Sequence, residues 1–104
     1  MTMVHRRTFF AKVGQSGPLV EHFQEAAVQM KSHGIEWETR IYTDYHSGRT
    51  DQVVGEWLLQ NLADMNLQMQ RITEIPEAAA FFQGWQTKLN DMIHYADVEN
   101  WTLV

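Results

Sequence analysis

The sequence predicts an α+β fold: one domain in the order strand–helix–strand–strand–helix–strand, with helices on one face of a four-stranded antiparallel sheet. Three observations lead there. Residues 35–46 (IEWETRIYTDYH) alternate apolar and polar side chains with a period of two. Residues 19–30 and 62–92 instead repeat their apolar residues at helical spacing. The chain has 104 residues, which fits one domain.

The first strand is expected over residues 3–13 (MVHRRTFFAKV), rich in β-branched and aromatic types and ended by Gly14. Both faces carry apolar groups: Met3, Phe9, Ala11 and Val13 on one, Val4, Thr8 and Phe10 on the other. Such a pattern fits a strand covered on two sides. Residues 15–18 make a loop and helix start, with Ser16 as the expected N-cap and Pro18 in the first turn, where its missing N–H does no harm. Leu19, Val20, Phe23, Ala26, Ala27 and Met30 form the helical stripe, and Gly34 can end it in a left-handed conformation.

In the alternating segment, Ile35, Trp37, Thr39, Ile41, Thr43 and Tyr45 share one face, and Glu36, Glu38, Arg40, Tyr42, Asp44 and His46 the other. Residues 47–51 (SGRTD) are expected as a hairpin turn and residues 52–59 (QVVGEWLL) as the returning strand. A helix follows over residues 62–72, and Pro76 breaks it or opens the next. Residues 77–94 continue helically, with Ala78, Phe81, Phe82, Trp85, Leu89 and Met92 on one face. Gly84 inside this helix costs ~1 kcal/mol relative to Ala, so packing must hold it. Residues 98–104 (VENWTLV) are the last short strand.

This order is the ferredoxin-like βαββαβ arrangement, which leaves one sheet face open. A domain of this size buries only ~60–65% of its unfolded surface. Hydrophobic residues make up 44% of the chain and aromatics 12%, with four Trp. The expected solution is a homodimer in which two open sheet faces pack about a two-fold axis.

Charge and composition exclude several partners. The formal net charge is −5, and the basic residues cluster no further than the pair Arg6–Arg7. A nucleic-acid binder needs a basic stripe, so no nucleic acid is expected. Without cysteine there is no disulfide, thiolate zinc site or iron–sulfur cluster. No window approaches the ~20 apolar residues of a membrane span, and MTMVHRRTFF lacks the apolar run of a secretory signal. A cytoplasmic protein is the expectation.

The segment HRRTFFAKVGQ resembles the opening strand of NIPSNAP-like domains, where an acid is followed by Arg, Tyr, a basic residue and Gly. The corresponding positions are His5, Arg7, Phe9, Lys12 and Gly14, so His and Phe replace the acid and the tyrosine. SGRTDQVVGEW is similar to that family's hairpin, and IPEAAAFFQGW to the helix that follows. The resemblance implies a dimeric α+β barrel, shared with antibiotic-biosynthesis-type monooxygenases and their haem-degrading relatives. The His that monooxygenase relatives often place after the hairpin Trp is missing, since residues 61–72 contain none.

Candidate site residues follow from face and chemistry. Arg7 shares a strand face with His5 and Phe9, and a fixed guanidinium beside an aromatic can hold a carboxylate or enolate oxygen. The plainer alternative is an ion pair with Glu36, Glu38 or Glu56 across the sheet. Arg6, on the other face, is expected to snorkel at the surface. Trp57 can shape a flat aromatic site or fill the core. Glu56 points to the opposite face, where it is a base if desolvated, or else pairs with Arg. Tyr42 falls with Glu38 and Arg40, in a network that orients a ligand or stitches the dimer. The candidate catalytic residues are thus Arg7, Glu56 and Trp57, and the candidate ligand-binding residues His5, Arg7, Phe9, Tyr42 and Trp57.

Histidines at 5, 22, 33, 46 and 94 show no HxxxH or HxH spacing, so no metal site is expected. His94, read as a helix end, is where a haem-binding relative would keep its ligand. Met65, Met69, Phe81, Phe82 and Trp85 are core-packing signals first and pocket-lining candidates second. Three functions are therefore weighed: a dimeric domain that binds a small hydrophobic or aromatic molecule or only assembles, a cofactor-free monooxygenase acting on a phenolic or quinone-like substrate, and a haem binder.

Overall fold

The computed structural model describes residues 1–44 and 51–104. Their order is β1 (Thr2–Ala11), α1 (Ser16–Ser32), β2 (Glu38–Thr43), β3 (Gln52–Leu59), α2 (Leu62–Thr73), α3 (Pro76–Met92) and β4 (Ile93–Leu103). The four strands form one antiparallel sheet in the order β2-β3-β1-β4. This is the expected ferredoxin-like α+β fold, with an additional helix between β3 and α3. The molecule is a slab, 38 × 36 × 19 Å, as one layer of helices on one sheet must be. The expected hairpin turn at residues 47–51 lies outside the described residues except for Asp51, as do Tyr45 and His46.

β1 is, with β3, an inner strand of this sheet. Its odd residues face the helices: Phe9 and Ala11 are buried with Leu19 and Phe23 of α1, Val53 of β3, and Leu89 and Met92 of α3. Its even residues, Val4, Arg6, Thr8 and Phe10, face the open side. A second cluster joins Ile35, Ile72 of α2 and Ala78 of α3. Leu19, Val53 and Ile72 are fully buried, each contributing ~1.5–3 kcal/mol relative to exposure.

Helix ends follow local chemistry, with one correction. Ser16 is the first helical residue of α1; the N-cap is Gln15, and its side chain makes no capping bond. At the other end Gly34 takes φ +82. Its N–H donates to the Lys31 carbonyl, and the Ile35 N–H reaches back to the Met30 carbonyl at 3.0 Å. That is the Schellman pattern, with Ile35 and Met30 packed together. Arg71 of α2 adds an Nη2–H bond to the His33 carbonyl at 2.8 Å. Asn61 caps α2 by accepting the Asp64 N–H at 2.7 Å, and Pro76 opens α3.

Other boundaries also differ from expectation: β1 ends at Ala11, which leaves Val13 outside the sheet and exposed. Ile35, Glu36 and Trp37 precede β2 rather than belonging to it, because the Schellman turn uses the Ile35 N–H and side chain. Helix α3 ends at Met92, and β4 begins immediately at Ile93, five residues before the expected strand. His94 is therefore an exposed residue of β4, not the end of a helix.

Candidate functional site

The register of β1 fixes which side chains meet. His5 lies opposite Trp57 on β3 and Asn100 on β4, and Arg7 opposite Gly55 and Val98. All point toward the helices, because side chains two apart on a strand share a face. The helices do not fill the space above them. A cavity of about 350 Å³ remains, open on one side, lined by His5, Arg7, Phe9, Trp37, Trp57, Met65, Met69, Phe82 and Trp85, among others. Among the described residues, Arg7 is the only charged side chain that lines it.

Arg7 is held from one side. Its Nε–H donates to Nε2 of His5 at 3.1 Å. An arginine can only donate, so Nε2 must be the bare nitrogen of a neutral imidazole, and the proton sits on Nδ1. Nδ1 lies 2.7 Å from Oδ1 of Asn100 and donates to it. His5 is 5% exposed, so this chain Asn100–His5–Arg7 is anchored in the protein at its middle. The expected ion pair to Arg7 does not form. Glu56 goes to Arg6 and Tyr42, and Glu38 to Arg40. Among the described residues, neither Nη group of Arg7 has a hydrogen-bond or ion-pair partner.

Trp57 forms a wall of the cavity rather than closing it. Its indole lies along its own strand over Gly55: a Cβ added there would come within 3.0 Å of the ring. The ring of His5 is 5.9 Å from Trp57, and Phe23 meets Trp57 edge-on at 6.4 Å. The neighbouring wall is fixed by a pair between α1 and α3. His22 Nε2–H donates to the Trp85 carbonyl at 2.8 Å, and Trp85 Nε1–H donates to the His22 carbonyl at 2.7 Å.

Glu56 and Tyr42 lie on the other face of the sheet, away from His5, Arg7, Phe9 and Trp57. Arg6 is not a free surface cation: its Nε–H binds Glu56 Oε2 at 2.8 Å, while Tyr42 OH donates to Oε1 at 2.9 Å. The register places Arg6 directly opposite Glu56, and Arg40 beyond it. Burial alone would raise the Glu56 carboxyl. The bonds from Arg6 and Tyr42 and the charges of Arg6 and Arg40 outweigh it and hold the group below its usual value. Flanking this polar centre, the same face carries half-exposed Tyr95, Trp101 and Leu103.

Sequence reasoning missed two contributors. Asn100 is ninety-five residues from His5, and its role depends on β4 register. His22 was a stripe-border residue, yet it is 3% exposed and stacked on Trp85. No group of three potential metal ligands occurs among the described residues. His94 does not line the cavity, and both ring nitrogens of His5 are engaged, so the site does not fit a haem ligated by protein. No helix among the described residues is long and apolar enough to cross a membrane.

No protein-family model and no curated protein matches the sequence. Solved structures do. The chain is similar to a NIPSNAP domain protein from Burkholderia xenovorans, with TM-score 0.75 and 16% identity over 98% of this chain and 94% of that one. A structure from Bacteroides fragilis described as a dimeric protein of ferredoxin-like fold matches with TM-score 0.65 and 13% identity, over 98% and 96%. A structure from Bacteroides thetaiotaomicron, described as a candidate antibiotic biosynthesis monooxygenase, matches with TM-score 0.70 and 10% identity, over 99% and 90%. The chain thus has the α+β fold of NIPSNAP family structures, a fold it also shares with the B. thetaiotaomicron structure.

Proposed function

We infer that this domain binds a small, largely apolar molecule in the cavity between its sheet and helices. The observation that carries this reading is the cavity itself: about 350 Å³, bounded by aromatic and Met side chains, and open to solvent. Space of that size and lining is typical of small-molecule sites. Well-packed interiors otherwise keep few voids larger than a water molecule. The neutral fluorophore N-phenyl-1-naphthylamine tests it. Its emission should rise on mixing and fall in Met69→Trp, which fills the cavity. No uptake, or uptake indifferent to the filling substitution, overturns the reading.

The same domain is proposed to work as a homodimer through the open sheet face. Trp101 and Leu103 are more than half exposed there, beside the Arg6–Glu56–Tyr42 group, of which Glu56 is buried. The dimeric description of the B. fragilis structure supports the arrangement. Sedimentation at micromolar concentration should give two subunits, reduced to one by Trp101→Glu. A folded single subunit in the unaltered protein would refute it.

A second reading, a cofactor-free monooxygenase of a phenolic or quinone-like substrate, draws on Arg7 at the cavity and on the fold shared with the B. thetaiotaomicron structure. Arg7 would steady a substrate anion and Trp57 would stack on it. Oxygen uptake with hydroxyquinones is the test, and equal rates in Arg7→Ala would remove that role.

A further inference from the structure

We propose that the cavity selects flat aromatic carboxylates, and that His5 and Asn100 are positioning residues that aim Arg7 at the carboxylate. This inference rests on the reading that the cavity takes a small apolar molecule.

The argument begins with what Arg7 has left to offer. A guanidinium presents donors along two edges, and His5 occupies the Nε position at 3.1 Å. What remains is the end formed by the two Nη groups, whose paired N–H vectors match the two oxygens of one carboxylate. Among the described residues, no protein group takes that end. Among the described residues no acidic side chain lines the cavity, so Arg7 meets no counter-charge from them there. Glu56, on the neighbouring strand, is committed on the other sheet face to Arg6 and Tyr42.

The orientation of this fork is set two steps away. Asn100 Oδ1 holds the proton of His5 on Nδ1, which leaves Nε2 bare to receive the Arg7 Nε–H. Were the other tautomer present, two N–H groups would face each other and Arg7 would swing away. The body of the ligand is set by Trp57. Its indole lies flat along the strand only because Gly55 has no Cβ, and the resulting wall is planar. A planar ring stacked on Trp57 with its carboxylate on Arg7 satisfies both features.

Isothermal titration with three ligands tests this. 2-Naphthoate carries the carboxylate, 2-naphthamide is its neutral isostere, and 2-hydroxy-1,4-naphthoquinone carries its charge on an acidic enol. The unaltered protein should bind naphthoate roughly tenfold more tightly than naphthamide, as one charge-assisted pair predicts. Arg7→Gln should bring the ratio to about one, with an unaltered far-UV circular dichroism spectrum showing that the variant is folded. Arg7→Lys keeps the charge without the fork and should recover only part of the preference. Asn100→Leu should lower the naphthoate preference several-fold, and nitrogen NMR should show that the Nδ1–H tautomer of His5 is no longer dominant.

Equal affinity for naphthoate and naphthamide in the unaltered protein overturns the anion anchor while leaving the apolar cavity reading intact. Binding of neither ligand removes both. A hydroxyquinone preferred over naphthoate overturns the carboxylate assignment in favour of a single-oxygen anion. An unchanged tautomer and unchanged preference in Asn100→Leu removes the positioning role.

Discussion

His22 and Trp85 each donate a side-chain N–H to the other's backbone carbonyl, and their rings stack at 4.5 Å with planes 7° apart. This two-way link ties α1 to α3 beside the cavity. Among the described residues, Nδ1 of His22 is buried with no hydrogen-bond partner. Trp85→Phe keeps the stack and removes the indole N–H, while the His22 carbonyl, inside α1, keeps its helical partner. Urea unfolding should show a loss of about 0.5–1.5 kcal/mol. A change below a few tenths would mean that the stack alone holds the helices.

Gly55→Ala should disturb Trp57 more than it disturbs the sheet. The new Cβ would sit 3.0 Å from a rigid indole carbon, so the ring must move. Overpacking of this kind costs about 1–3 kcal/mol. Near-UV circular dichroism should change with the far-UV spectrum intact, and uptake of the neutral fluorophore should change with it. Unaltered Trp signals would show that the ring was never held against the strand.

Glu56→Gln removes a buried carboxylate that is paired on both oxygens. Because Arg6 remains partly solvated, the expected loss at neutral pH is about 1–2 kcal/mol. The sign with pH follows from the direction of the shift. The folded carboxyl lies below its unfolded value of about 4.3, so its contribution is complete above that range. It disappears as pH falls through the lower folded value. The stability gap between the unaltered protein and Glu56→Gln should therefore close on acidification, and a gap that widens would contradict the assignment.

Gly84→Ala should stabilise. Gly84 is a mid-helix residue of α3, and a Cβ there would meet nothing within 4 Å. Removing backbone freedom from the unfolded chain is worth up to ~1 kcal/mol. Thermal unfolding should shift upward by several degrees. A downward shift would reveal a neighbour at this surface, such as a second subunit.

Much of this was readable from alternation. The odd–even division of residues 3–11 placed His5, Arg7 and Phe9 together, and the period of residues 38–43 separated Tyr42 from Ile41. What alternation could not supply was pairing across distant strands. Arg6 was expected to be a lone surface cation because its partner depends on β3 register. Asn100 carried no local signal at all. The start of β4 was misplaced because no Gly or Pro separates Met92 from Ile93; the backbone passes straight from helix to extended conformation. The signal that was present is the run Ile93, Tyr95, Ala96, where a β-branched residue and an aromatic replace helical spacing.

β1 is paired along nearly its whole length on both sides. A strand locked between two ladders cannot slide by a residue without breaking both and turning every side chain over. The placement of residue 7 is thus inherited from main-chain geometry, not negotiated by its neighbours. Wall residues on the helices can therefore be exchanged without moving the base of the cavity, which stays where the sheet put it.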